Sequence, residues 1–293
     1  MDLITTRSNK FIDLNDINTK YQYKVKTPSI FNTMPKSNTS DRYQPFNTLQ
    51  AINVLADYGY MPTQIKQKYS LKNASENDPF QQHVVRFANK DQDLLAPEYH
   101  EIILYNSFDG ESSLKLFNGY FRLICTNGIV SGNGEQDIVK HFKNNLEMFE
   151  QLIKNTISSI QKTNEIIDRL KNTSFDNDQI FDLSKNILSD RWEYVENDNF
   201  ERDEFTNELI EKAYFDDSTI NALNKARRSE DIGKSAWLQF NRIQENMTKP
   251  LPIKSVGKAK IVNERKSKAI NSINDDRKLN LKLWDNVAEL VTA

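Results

Sequence analysis

Residues 99–128 read YHEIILYNSFDGESSLKLFNGYFRLICTNG, and the fold class turns on how this stretch is divided. The run Tyr99–Ser107 carries Ile102-Ile103-Leu104, a short apolar stretch suited to a buried strand, and Phe108-Asp109-Gly110 supplies turn chemistry after it. Two more apolar runs, Ser113–Leu116 and Tyr120–Cys125, flank Asn118-Gly119. That pair tolerates the positive backbone torsions of a two-residue turn, so a second hairpin is expected there. Five of the eight glycines, Gly110, Gly119, Gly128, Gly132 and Gly134, fall in this region, and the backbone is expected to turn tightly through it.

Working upstream, Pro62–Tyr69 and Gln81–Phe87 alternate polar and apolar residues and read as two further strands. Leu49, Ile52, Leu55 and Ala56 have helical spacing, with Asn47 or Thr48 as a cap and Gly59 as the stop. Residues 1–45 are polar and broken by Pro28, Pro35 and Pro45, which suggests an extended arm. Downstream, Val139, Phe142, Leu146, Phe149, Ile153, Thr156, Ile160, Thr163, Ile167 and Leu170 recur at spacings of three and four, a heptad seam over Glu135–Lys171. Such a helix either lies across the sheet or meets a second copy of the chain in a homo-oligomer. An acidic connector over 172–218 follows, then helices around Ser235–Met247, with Trp237 and Phe240, and Leu279–Val291, with Trp284. Between them runs a basic segment: Lys249, Lys254, Lys258, Lys260, Arg265, Lys266 and Lys268. The expected fold is α+β: an antiparallel sheet with hairpins, a long helix packed on or beside it, and a helical C-terminal part. The corresponding divisions are 1–45 (arm), 46–172 (core) and 173–293.

Composition narrows the function. Cys125 is the only cysteine, which excludes an intramolecular disulfide and a cysteine-rich metal cluster and suits a reducing compartment. No stretch reaches the roughly 18 apolar residues of a membrane helix, and Asp2, Arg7 and Lys10 interrupt any signal-peptide core, so no membrane partner and a cytoplasmic location are expected. With 39 basic and 41 acidic residues, any nucleic-acid binding must come from local patches. Mean hydropathy is −0.69, low for a compact globule.

No metal or cofactor is expected. His83, His100 and His141 are far apart in sequence and stand in no ligand frame. Cys125 lacks a recognisable base and oxyanion donor and reads as a buried small hydrophobe. Gly132-Asn133-Gly134 has no Lys-Ser/Thr after it, and Glu135 and Asp137 would repel phosphate, so it reads as an ordinary helix entry. Basic and aromatic residues do interleave along the strands. Lys66, Arg86, Lys115 and Arg122 could neutralise phosphates while Tyr105 and Phe121 stack bases; alternatively these residues simply alternate between solvent and core.

Four blocks together resemble a known family, the domain of unknown function 932, whose members are often described as phage/plasmid-like proteins. They are LADYGYMP at 55–62 with Gln64; Gln82-His83-Val84-Val85-Arg86-Phe87; Asn106-Ser107-Phe108-Asp109-Gly110 running through Gly119–Arg122 to Cys125-Thr126-Asn127-Gly128; and Trp237 with Asn241, Gln244, Glu245 and Asn246. The resemblance covers roughly residues 40–290, departs at Met247-Thr248-Lys249-Pro250 where the family tends to a glycine pair, and brings no established activity. At fold level, successive antiparallel strands followed by one long helix are similar to the core of phage single-strand annealing proteins. The expected function is therefore non-enzymatic binding of single-stranded DNA in replication or recombination of a mobile element such as a bacteriophage or plasmid, in a bacterial host cell. The alternatives are a protein-interaction factor, anti-defence or virion-associated, and an enzyme using Asn106, Asp109, Arg122 and Asn127.

Overall fold

The computed structural model describes residues 10–41, 43–68, 78–110, 112–122, 129–131, 138–139, 146–194, 213–256, 262–270 and 272–292. The chain divides into two compact units, residues 1–163 and 164–293.

The first unit is built on a sheet. Strands β1 (Tyr60–Gln67), β2 (His83–Asn89), β3 (Glu98–Asn106) and β4 (Leu114–Arg122) form an antiparallel meander, and β5 (Ile129–Ser131) and β6 (Ile138–Val139) both pair with β4. Helix α1 (Ile17–Lys26) precedes the sheet, and α2 (Thr48–Asp57) enters it. The Asn47 side chain accepts from the Gln50 N–H at 3.1 Å to cap α2, and Gly59, at φ 84°, turns the chain into β1. Alternation then does the sorting. Ile65, Val85, Phe87, Ile102, Leu104, Leu114 and Leu116 pack on one face against Ala51, Ile52 and Leu55 of α2, and against Phe149, Leu152 and Ile153 of the long helix α3 (Leu146–Asn172). Each such side chain, fully removed from water, contributes about 1.5–3 kcal/mol.

Three expectations for this unit need correction. Residues 10–41 are not an extended arm: they carry α1 and a 3-10 turn at Pro28–Phe31, and Ile12 and Ile30 are buried in the core. The Ile12 N–H donates to the Pro62 carbonyl at 2.7 Å, and Gln67 Oε1 accepts from Ser29 N and Oγ at 3.0 and 2.7 Å, which ties this segment to β1. Asn118-Gly119 is no hairpin turn either. Both lie inside β4, Gly119 has no positive φ, and Asn118 Nδ2 donates to Thr163 Oγ1 of α3 at 2.9 Å. The asparagine that looked like turn chemistry is a polar tether between strand and helix. The real turn is the Ser107–Ser113 connection, where Gly110 adopts φ 83° and a Cβ would come within 2.9 Å of Thr39. Finally, the long helix does not start at Glu135, because Ile138–Val139 is a strand in register with Leu114 and Lys115. Residues 132–137, which include the glycine pair, lie outside the described residues.

Among the described residues, most of the heptad seam is buried within the chain. Phe149 and Ile153 join the sheet core, and Ile167 and Leu170 are buried in the second unit. Thr156 and Thr163, the polar interruptions, are buried with their hydroxyls donating to the Leu152 and Ser159 carbonyls at 2.8 and 3.2 Å. From Phe149 to Leu170 the seam is therefore largely covered within the chain, while Leu146 at its start is exposed.

The second unit is not wholly helical. Helices α4 (Asn177–Ser189), α5 (Asp217–Asn224), α6 (Ala236–Thr248) and α7 (Ile273–Thr292) accompany a small sheet of order β10-β9-β8-β7, made of β7 (Glu193–Tyr194), β8 (Ala213–Phe215), β9 (Pro252–Val256) and β10 (Val262–Lys266). The basic segment supplies the β9–β10 hairpin, pairing Lys254 with Glu264 and Ile253 with Arg265. Its strands are too short, and too rich in lysine, to announce themselves by alternation. Three of these helix starts are capped by side chains: α4 by Asp176 with Gln179 in a reciprocal capping box, α5 by Asp216 and α6 by Ser235. The core joins Trp237, Phe240 and Trp284. The first two rings stack at 5.7 Å, and the last meets Phe240 edge-on at 6.1 Å.

Candidate functional site

The sheet residues assigned to nucleic-acid contact do not form an exposed strip. Strand register puts Lys66 beside Val84, Val84 beside Tyr105, and Tyr105 beside Lys115; Arg86 lies beside Ile103, and Ile103 beside Phe117. Residues directly opposite share a face, so Lys66, Arg86, Tyr105, Lys115 and Phe121 lie on one side while Arg122, on the parity of Leu114 and Leu116, lies on the other. The shared face is covered. Tyr105 and Phe121 are each 2% exposed and make ring contacts with Phe117 at 5.6 Å and Tyr99 at 4.8 Å, which leaves no base-stacking platform. Arg86 is 8% exposed and donates to Glu101 Oε2 at 2.7 Å, the carboxylate being fully buried. Arg122 is buried beside Glu98 at 3.3 Å. Lys66 and Lys115 are half-buried. Both arginines are thus internal ion pairs.

The described motif residues of this unit are held by internal hydrogen bonds and ion pairs. His83 is fully buried, with Nδ1 3.1 Å from the Gln81 carbonyl and Nε2 2.8 Å from Thr48 Oγ1. A carbonyl only accepts, so Nδ1 carries the proton and Nε2 takes the Thr48 hydroxyl proton. Thr48 Oγ1 in turn accepts from Asn106 Nδ2 at 2.9 Å, and the same amide reaches the Phe46 carbonyl at 2.8 Å. One relay of hydrogen bonds therefore joins the entry of α2 to β2 and β3. Asp109 accepts from Ser107 Oγ at 2.7 Å and shapes the turn with Gly110. Beside it, burial pushes the Tyr43 hydroxyl up to about 12, the hydroxyl donating to the Ser107 carbonyl at 3.1 Å. The enzyme reading required Asn106, Asp109, Arg122 and Asn127 to converge. Asn106 and Arg122 are committed to buried contacts, and Cys125, Asn127 and Gly128 lie outside the described residues. Among the described residues, no group of three or more metal-binding side chains gathers.

The second unit holds the more open chemistry. Eleven of the thirteen residues of α6 are buried, including the motif residues Asn241, Gln244, Glu245 and Asn246, so most of its polar side-chain atoms are bonded within the protein. Asn241 Nδ2 donates to the Trp237 carbonyl at 2.6 Å, and Gln244 Nε2 donates to Asn280 Oδ1 on α7. Asn246 Nδ2 donates to the Leu223 and Lys225 carbonyls at 2.7 and 2.8 Å, closing the end of α5, while its Oδ1 accepts from Arg227 Nε. Glu245 Oε1 accepts from both Arg228 Nη2 at 2.8 Å and Lys249 Nζ at 3.0 Å. Burial pushes the Glu245 carboxyl up, but the bonds from Arg228 and Lys249 outweigh it and hold the group below the usual carboxylate range.

Glu245 and Asn246, with the cations they hold, line a cleft of about 800 Å³. Among the described residues its walls carry Lys225, Arg227, Arg228, Lys249 and Lys266 against the carboxylate of Glu245, five cations to one anion and a surplus of four. Lys225, Arg227 and Lys266 are exposed and meet no carboxylate among the described residues. Residue-by-residue scanning of the sequence missed this site because its cations come from two separated segments, 225–228 and 249–266. The basic run supplied half of the signal. The folding of α5 against α6 supplies the rest.

The described residues thus form two compact α+β units, with buried arginines in the first and an exposed cationic cleft in the second. The profile of the family described as "Domain of unknown function (DUF932)" matches residues 36–272, and the chain belongs to that family. It is similar to the UPF0380 protein YfjQ of Escherichia coli (strain K12), 24% identical over 273 residues, with 90% of this chain and 88% of the relative covered. The UPF0380 protein YafZ of the same organism is likewise 24% identical over 272 residues, covering 90% and 88%. No solved structure matches the chain. Among the described residues, no helix is long and apolar enough to cross a membrane.

Proposed function

We propose that the protein binds single-stranded nucleic acid without catalysing a reaction, and that the contacts lie in the cationic cleft of the second unit rather than on the sheet. In this reading it acts in the cytoplasm of a bacterial host, in replication or recombination of a mobile element. The observation that carries the reading is the excess of five cations over one carboxylate around one cleft in a chain whose overall charge is only −2. A polyanion is drawn by the field within about one Debye length, roughly 8–10 Å, so a local surplus suffices where net charge does not.

The test is fluorescence anisotropy of a labelled single-stranded oligonucleotide across a salt series, with wild type beside the Lys225→Ala/Lys266→Ala double variant. Both lysines are exposed, so the fold should hold. Losing two phosphate contacts should flatten the slope of log affinity against log salt by about 1.4, at about 0.7 per contact on a single strand. Unchanged affinity and slope in the folded variant would remove the cleft from the reading. Absence of any binding at low salt would return the protein-interaction alternative.

A further inference from the structure

The cleft is graded from floor to rim. At the floor, buried Glu245 holds Arg228 and Lys249 through one carboxylate oxygen, and both of these cations are half-buried. At the rim stand Lys225, Arg227 and Lys266, all exposed. Of the three, Arg227 is steered by neutral partners, Asn246 Oδ1 and the Pro250 carbonyl, so its charge is placed but not neutralised. An anion driven to the floor would approach the Glu245 carboxylate, whose two cations are already engaged. An anion lying across the rim meets three cations with no opposing carboxylate among the described lining residues. The charge distribution therefore favours a chain of phosphates spread over the opening above a single phosphate inserted into it.

The rest of the lining is equally informative. Alanine, proline, leucine and Asn246 complete it, and no aromatic side chain is among the described lining residues. Recognition of single strands by their bases needs aromatic platforms, each stacked base being worth roughly five- to 150-fold in affinity. A cleft without them has no such contribution to lose.

We infer that the cleft holds an extended sugar–phosphate backbone across its rim by charge alone, leaving the bases unread and giving an isolated phosphate no seat. This rests on the nucleic-acid reading of the same cleft. It assigns the substrate class as a linear polyanion of phosphodiesters, bound independently of sequence, and it separates positioning contacts from base readout, which here has no apparatus.

Competition measures it. The full chain is loaded with a labelled single-stranded oligonucleotide, and three competitors are titrated in: the same oligonucleotide unlabelled, an abasic deoxyribose-phosphate chain of equal length, and inorganic phosphate at the same total phosphate concentration. The abasic chain should compete within about threefold of the natural one, well inside the factor a single stacked base would impose. Inorganic phosphate should displace no more than sulfate at equal ionic strength. The Lys225→Ala/Lys266→Ala variant should lose the same factor against both polymers. An abasic chain weaker by more than about tenfold would show that bases are read and overturn the inference, while nucleic-acid binding itself stood. Displacement by inorganic phosphate beyond the sulfate control would overturn the rim geometry. If the labelled strand fails to bind at low salt, the inference and the underlying reading fall together.

Discussion

Replacing Arg86 with alanine tests the conclusion that the sheet arginines are internal. The guanidinium donates to Glu101 at 2.7 Å, and Glu101 has no exposed surface. Removing it leaves a carboxylate in a site from which water is excluded, and breaking a buried pair from one side costs about 3–5 kcal/mol. In a unit spanning residues 1–163, each kcal/mol moves the melting temperature by about 2–4 °C, so the variant should melt roughly 6–20 °C below wild type. Arg86→Met combined with Glu101→Leu removes both charges and keeps the volume, and should recover most of the loss. Thermal melting by circular dichroism, repeated from neutral pH down to about pH 4, adds a second signature. Without the arginine, the buried Glu101 carboxylate can take up a proton in acid, so the single variant's deficit against wild type should shrink as pH falls. An Arg86→Ala protein that melts with wild type and loses nucleic-acid affinity would refute the assignment, because that is the behaviour of a surface contact.

Two further outcomes follow from the cores and from Tyr43. Trp284→Ala should cost about 3–5 kcal/mol, read by chemical denaturation, because the indole closes the Trp237–Phe240–Trp284 cluster; a loss below about 1 kcal/mol would mean that the helices pack without it. Tyr43 holds its proton up to about 12 in the folded chain against 10.0 as the ordinary value, so its contribution is complete below pH 10 and disappears as pH rises toward 12. The alkaline fall in melting temperature over that window should be smaller in Tyr43→Phe, and an identical fall would remove the tyrosine from the account.

The strands β1 to β3 were legible because alternation and apolar runs belong to the chain itself, and their expected limits lie within two or three residues of those observed. Residues 114–122 were divided wrongly for a definite reason. Asn-Gly is turn chemistry only when the flanking strands fold back on each other, and here Asn118 is held straight by Thr163, forty-five residues away. Arg86 and Arg122 misled in the same manner, since alternation reports that a residue has a side but not what covers that side. The aromatic stripe of α6 and α7 was legible from spacing. The cleft was only half visible, because Arg227 and Arg228 gain meaning from Asn246 and Glu245, which fold in from α6.

Strand β1 ends the meander, and an end strand ordinarily offers its free N–H and C=O groups to any other chain that can extend the sheet. This one is poorly suited to that use. Pro62 has no N–H to give, its carbonyl is taken by Ile12, the register slips between Pro62 and Gln64, and Ser29 is anchored to the side chain of Gln67 at the strand's far end. The segment before residue 41 thus works as a guard against aggregation as well as a piece of core. A chain shortened past Ile30 would lose two buried isoleucines and uncover this edge at once, and the expected result is self-association by strand addition rather than a smaller soluble protein.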